Sequence, residues 1–268
     1  MAIRDTHSLH TRDTIEKIIG WIREAGQVAL QYFNNVGPAY KPDRTLVTQA
    51  DLEVEQLLAE QIDKAFPRHS FIGEESLRTA PAQLSDIVWV VDPIDGTTTF
   101  SQGLPGWGIA IGVLQAGKPL LGFYYMPLLD DLTYASPGGV FCNNRRLRRT
   151  LRNSWRQKGF LALSASAHRD FRINIHRSRA LGSSGTNLIY TARGSATAAF
   201  LPKAYLWDLV AGAAIVERLG GELRYLDGTL VNYKALLDGR LAPQPIIAGH
   251  ASVLTTLSGA IQLRQDSA

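Results

Sequence analysis

Asp92-Pro93-Ile94-Asp95-Gly96-Thr97-Thr98 follows the apolar run Ile87-Val88-Trp89-Val90-Val91, so two carboxylates stand where a buried strand ends. Two carboxylates a few ångströms apart repel by roughly 4 kcal/mol at an effective dielectric near 20, and stay ionised together only beside cations or with one pKa raised. Metal binding relieves that repulsion most simply. Pro93 removes a ladder donor and stiffens the strand exit, and Gly96 permits a sharp turn. The threonines that follow can start a helix with N–H groups and hydroxyls pointing outward. Taken alone, a capping Asp and a turn Asp would give the same letters.

Further acids occur in comparable settings. Glu74-Glu75 follows Phe71-Ile72-Gly73, a short apolar strand with a glycine at its end. Downstream, Trp207-Asp208-Leu209-Val210-Ala211-Gly212 opens a segment with apolar residues at helical spacing that runs to Glu217 and closes at Gly220-Gly221. By itself Asp208 reads as an acid in a helix's first turn, favoured by the macrodipole.

Gly73-Glu74-Glu75-Ser76, Trp89 to Phe100 and Trp207 to Gly212 resemble, in order and separation, the three signature motifs of the inositol monophosphatase family. Lys41, followed by Leu46-Val47-Thr48-Gln49-Ala50-Asp51, resembles an upstream element of that family. Four motifs in the right order carry far more weight than one. The resemblance implies a magnesium-dependent phosphomonoesterase. Its metal ligands would be Glu74, Asp92, the carbonyl of Ile94, Asp95 and Asp208, holding two or three Mg²⁺ per site. All are oxygen donors, and an all-oxygen shell without His or Cys favours Mg²⁺ or Mn²⁺ over Zn²⁺.

The same resemblance implies in-line attack on phosphorus by a metal-activated water, with no phosphoenzyme. Glu74 and Thr97 would orient and help deprotonate that water, and Asp51 would accept a hydrogen bond from the Thr97 hydroxyl. Backbone N–H groups of Gly96, Thr97 and Thr98 at a helix start would receive the phosphate. Gly182-Ser183-Ser184-Gly185-Thr186-Asn187-Leu188 resembles the family's pocket-lining turn, which makes Ser184, Gly185 and Thr186 contacts for the substrate's alcohol part. Without the resemblance, the same residues read as an ordinary helix cap.

The sequence departs from the family pattern in two places. Thr99 stands where the family usually has Asn, and Leu201 stands seven residues before Asp208, where inositol-specific members carry a glutamate that accepts from substrate hydroxyls. A leucine cannot accept such a bond, and an unpaired polar group there costs about 1–3 kcal/mol. Inositol phosphate is therefore not the favoured substrate. Histidinol phosphate, fructose 1,6-bisphosphate and 3′-phosphonucleotides stand beside it as candidates, and Lys203 could offer a charge to a more anionic one.

These acids need a scaffold, and 268 residues with 45% hydrophobic content supply enough apolar surface for one large core or two smaller ones. An amphipathic helix carries Ile15, Ile18, Ile19, Ile22, Val28, Ala29 and Phe33, and a second helix is expected near Asp51. Strands are expected at 87–91, 108–114, 120–126, 132–135 and 139–142, giving a mostly antiparallel sheet packed on helices. After about residue 155, strands at 160–164 and 222–225 alternate with helices near Asn187, Leu209 and Ser252, an α/β pattern. The resemblance makes the whole an α+β / α/β protein with the layered α-β-α-β-α sugar-phosphatase fold. It also places an N-terminal half (1–150) carrying most ligands beside a C-terminal half (151–268) carrying Asp208, in one compact unit.

The lone Cys142 cannot form an internal disulfide, no apolar run is long enough to span a bilayer, and Met1-Ala2-Ile3-Arg4-Asp5 lacks a signal-peptide core. The cytoplasm is the expected location. The resemblance also implies a homodimer and lithium sensitivity. Arg145-Arg146-Leu147-Arg148-Arg149, with Arg152, Arg156 and Lys158, forms a basic run in a chain of net charge +4. The plainer reading is a solvated connector between the halves; the sharper one is a polyanion or nucleic-acid patch, which would make the chain a binding or regulatory protein on a phosphatase scaffold. The scattered histidines, His168 and His176 among them, lack metal-ligand spacing and read as surface or packing residues.

Overall fold

The structure is a computed structural model, and it describes residues 9–35, 39–40, 46–76, 84–148, 151–156 and 158–264. Lys41 and Arg149 of the motifs above lie outside the described residues.

Helix α1 (Arg12–Tyr32) buries Ile15, Ile18, Ile22, Ala25 and Ala29, a single face at i, i+3 and i+4 spacing, and starts where the Thr11 hydroxyl accepts from the Thr14 N–H. Strands β1 (Ala39–Tyr40) and β2 (Leu46–Val47) pair antiparallel and lead into α2 (Gln49–Ala65). The apolar faces of α1 and α2 cover one side of a seven-stranded sheet. Its order is β3 (Ser70–Gly73), β4 (Ile87–Asp95), β5 (Gly108–Gln115), β6 (Lys118–Met126), β7 (Asp131–Ser136), β8 (Gly139–Cys142) and β9 (Arg145–Arg146). Strands β3 and β4 run parallel and the remaining neighbours antiparallel. All nine residues of β4 are buried: Trp89 and Val91 meet the α1–α2 layer, while Val88 and Val90 meet the opposite one. A continuous apolar run, rather than an alternating one, is what a strand covered on both faces requires.

After the short helix α3 (Thr97–Ser101) and the strands above, the chain builds a second sheet, of five strands. Its order is β12 (Ser178–Ala180), β10 (Leu161–Leu163), β13 (Ala198–Leu201), β15 (Ile246–Gly249) and β14 (Glu222–Tyr225). The first three are mutually parallel, and β15 is antiparallel to both its neighbours. Between the sheets lie α5 (Ser184–Ala192) and α6 (Leu206–Arg218), and α6 is apolar almost all round because it has a sheet on either side. It packs very close to the first sheet: a Cβ on Gly122 would stand 2.2 Å from the carbonyl oxygen of Ala211. On the far face of the second sheet, α4 (Ala167–Asp170), α7 (Ala251–Ser258) and the antiparallel pair β11 (Phe171–Ile173) and β16 (Ile261–Leu263) enclose a third core. The expected α-β-α-β-α layering is the layering observed.

One segment differs from the expectation. Arg145 and Arg146 are not connector: they pair with Cys142 and Phe141 as the edge strand β9, both side chains exposed. Exposed charges on an edge strand block further strand pairing, which gives these two arginines a structural role.

Candidate active site

In a regular strand, residues three apart point to opposite faces, so Asp92 and Asp95 should diverge. They do not, because Asp92 pairs with Ala110 and Asp95 with Gly108, leaving one extra residue on β4 at the Pro93-Ile94 step. This bulge re-aims Asp95. Asp208 arrives from the first turn of α6, where its Oδ2 accepts from the Tyr205 N–H at 2.5 Å. Ligand-capable oxygens of Asp92, Asp95 and Asp208 all lie within 4.8 Å of one another.

Electrostatics there are those of crowded, buried like charges. Asp92 is 1% exposed, and burial, then the charges of Glu74, Asp95, Asp208 and Asp51, hold its carboxyl well above the usual carboxylate range. Burial also raises Asp95, against hydrogen bonds from Ser183, Tyr124 and the N–H groups of Gly185 and Ser184. Asp208 is pushed up to about 7 by burial and then by Asp95, opposed by the Tyr205 N–H. Asp92 Oδ1 is fully enclosed and has no hydrogen-bond partner among the described residues. A buried acceptor in that state is costly, and a cation among three acids would satisfy it, so the residues present fit a divalent ion with oxygen ligands.

Glu74 sits at the exit of β3, its N–H donating to the Val91 carbonyl at 3.2 Å, and its charge reaches Asp92. Asp51 is wholly buried at the start of α2 and accepts from the Thr48 N–H (2.7 Å) and hydroxyl (2.6 Å). The Thr97 hydroxyl lies 3.4 Å from Asp51 Oδ1 and 3.2 Å from the Ile94 carbonyl. Gly96 starts α3 at φ +96°, a conformation for which glycine is suited. It leaves Thr97 half-buried and Thr98 exposed. Ser184 is partly exposed. Gly185 and Thr186 face inward: the Gly185 N–H donates to Asp95 Oδ2 at 2.7 Å, and Thr186 Oγ1 lies 2.9 Å from the Tyr124 hydroxyl. Leu201 ends β13 at 1% exposure in the central core, whereas Lys203 is exposed.

Three participants escaped the sequence reading. The Tyr124 hydroxyl donates to Asp95 Oδ2 at 2.7 Å and lies 2.9 Å from both Ser183 Oγ and Thr186 Oγ1. Gly185 makes room for the ring: a Cβ there would stand 2.2 Å from Tyr124 Cε2. Glu55, one turn after Asp51 on the buried face of α2, accepts from the Glu75 N–H at 2.8 Å and holds the 74–76 turn; burial raises its carboxyl above the usual range. A charged residue on an apolar helix face and a tyrosine inside an otherwise apolar strand both need partners, and that need was the available signal.

Comparison with known proteins agrees with this geometry. The inositol monophosphatase family matches residues 11–262. Inositol monophosphatase 2 of Saccharomyces cerevisiae is 31% identical over 198 residues, covering 66% of this chain and 68% of the yeast protein. Fructose-1,6-bisphosphatase/inositol-1-monophosphatase of Thermotoga maritima is 28% identical, covering 82% and 88%. Among solved structures, an IMPase/NADP phosphatase complexed with Mg²⁺ and phosphate superimposes with a TM-score of 0.79 at 22% identity, over 92% of this chain and 95% of the other. That likeness shows the fold, and the family match adds the activity class: the chain belongs to the inositol monophosphatase family and is a phosphoric monoester hydrolase.

Proposed function

We propose that the chain hydrolyses a small phosphomonoester with Mg²⁺ held by the carboxylates of Glu74, Asp92, Asp95 and Asp208 and the carbonyl of Ile94. The observation that carries this reading is the convergence of three buried or half-buried acids within 4.8 Å around an Asp92 oxygen that has no partner among the described residues. When bound, the metal supplies Lewis acidity to phosphoryl oxygens and lowers the pKa of water. Two or three ions per site are proposed by likeness to the family.

The chain's own groups have separable tasks. The Thr97 hydroxyl directs its proton to Asp51 or the Ile94 carbonyl, which leaves its lone pairs to accept from the attacking water. Asp51, fixed by two donors from Thr48, keeps Thr97 in that orientation. Glu74 takes the water's proton. The first N–H groups of α3, from Gly96, Thr97 and Thr98, have no carbonyl one turn earlier in the helix and receive the phosphate. Ser184, with Gly185 and Thr186 behind it, borders the alcohol part. In this reading residues 1–150 supply four of the ligands and 151–268 supply Asp208.

Leu201 supports a substrate whose alcohol makes no hydrogen bond at that position, so fructose 1,6-bisphosphate, 3′-phosphonucleotides and histidinol phosphate rank with inositol phosphate. Relatives bearing fructose-bisphosphatase and NADP-phosphatase names show how widely alcohols vary on this fold. A cytoplasmic homodimer is proposed by family likeness, and sedimentation of the purified protein checks the stoichiometry. For its helices, the statement is narrower: among the described residues none is long and apolar enough to cross a membrane. The site assignment is tested by Asp95→Asn and Asp208→Asn, each expected to abolish turnover while melting cooperatively. Either variant retaining most of the wild-type rate would refute it.

A further inference from the structure

The basic run left unexplained by catalysis does more than cross the surface. A cavity of about 510 Å³ opens at the C-terminal end of α5, and Arg148, Arg152, Arg156 and Arg193 line it together with Asn153 and Ser154. No carboxylate is among the described lining residues. Arg193 is already committed: Asp131 accepts its Nη1 at 2.6 Å, and Thr133 accepts from its Nη2. Arg152 is anchored by donation from Nε to the Gly194 carbonyl at 2.5 Å. Among the described residues no carboxylate pairs with Arg148, Arg152 or Arg156.

Freely solvated arginines relieve mutual repulsion by swinging apart. Arg152 and Arg193 cannot do so, since backbone and Asp131 hold them, and Arg148 and Arg156 share the same rim. Guanidinium forks match the spacing of phosphate oxygens and bind them bidentately. The Asn153 amide and Ser154 hydroxyl add neutral donors. The volume falls among pockets that hold small molecules, roughly 300–1,000 Å³. An extended nucleic acid instead follows a long basic groove with stacking aromatics.

We propose that this cavity binds a phosphate dianion, free or as a small monoester, at a site distinct from the carboxylate cluster. The two lie at opposite ends of α5, whose residues Ser184–Ala192 span about 13 Å at 1.5 Å per residue. The inference stands whether or not the catalytic proposal does.

Calorimetric titration in EDTA tests it, because no metal is then present to draw phosphate to the acids. Inorganic phosphate and glycerol 2-phosphate are each titrated into the full-length wild type, Asp95→Asn, and the double variant Arg148→Gln/Arg156→Gln. One saturable site is expected in the wild type and in Asp95→Asn, weakened at least about tenfold in the double variant and by added salt. The double variant is expected to keep its Mg²⁺-dependent phosphate release. Tighter binding of the monoester would identify an organic ligand, and equal binding phosphate itself; both support the site. Absence of binding at millimolar phosphate would overturn it, as would affinity unchanged in the double variant. Binding of a single-stranded DNA oligomer where phosphate fails would likewise overturn it, in favour of a polyanion surface.

Discussion

Tyr124→Phe removes one oxygen and leaves the ring, so it opens no cavity and isolates the hydroxyl's contribution. That hydroxyl contacts Asp95 Oδ2, Ser183 Oγ and Thr186 Oγ1 at 2.7, 2.9 and 2.9 Å. Ser183 and Thr186 also bond one another at 2.8 Å, so neither is orphaned by the change, and Asp95 keeps the Gly185 N–H. What is lost is a single hydrogen bond to a carboxylate, worth about 1.5–3 kcal/mol. Burial and Asp95 hold the Tyr124 phenol well above its usual range, so it remains a donor throughout the working pH range. The bond favours ionised Asp95; losing it raises that carboxyl further and lets protons compete with Mg²⁺. At about 1.4 kcal/mol per tenfold, the Mg²⁺ concentration for half-maximal phosphate release should rise about ten- to hundredfold at neutral pH. Near-saturating Mg²⁺ should restore kcat to within about threefold. A Mg²⁺ titration of phosphate release, paired with calorimetric Mg²⁺ binding, reads both quantities. Half-saturation within a factor of two of wild type would refute the reasoning, as would a fall in kcat with Mg²⁺ binding unchanged.

Other perturbations follow from the same geometry. In EDTA the folded chain holds protons on Asp92, Asp95 and Asp208 that the unfolded chain releases, so stability is highest below the ordinary carboxylate range and falls as pH rises through about 7. Scanning calorimetry in EDTA should therefore give a Tm that drops between pH 6 and pH 8, with saturating Mg²⁺ flattening the trend; a flat profile in EDTA contradicts it. Asp92→Asn removes a repelling charge and should abolish turnover while raising Tm by a few degrees in EDTA at alkaline pH, and a lowered Tm there counts against the electrostatic account. Gly185→Ala places a Cβ 2.2 Å from the Tyr124 ring and 2.6 Å from Asp95 Oδ2, and should cost about 1–3 kcal/mol in chemical denaturation together with most of the activity.

The layers were legible because their patterns are unambiguous: the all-apolar Ile87–Val91 run admits only a covered strand, and the Ile15, Ile18, Ile22 and Ala29 stripe only a one-faced helix. The identity of the clustered acids was legible from motif order. Their convergence was not, since it depends on a bulge at Pro93-Ile94 that reverses the pleat and on α6 crossing from the other sheet. Tyr124 escaped notice because its partners lie 29 to 62 residues away, and no local spacing encodes that distance. Arg145 and Arg146 read as connector because a two-residue edge strand leaves no periodicity. Gly185 and Thr186 carry the same letters whether they face a ligand or the Asp95 network, and packing alone decides between them.

The most direct test of the central claim is phosphate release by the purified wild type from inositol monophosphate, histidinol phosphate, fructose 1,6-bisphosphate, 3′-phosphoadenosine 5′-phosphate and a generic phosphomonoester, each with Mg²⁺ or EDTA. The account predicts turnover of at least one compound with Mg²⁺ and none with EDTA. Equal release in EDTA, or none from any compound with Mg²⁺, would contradict it.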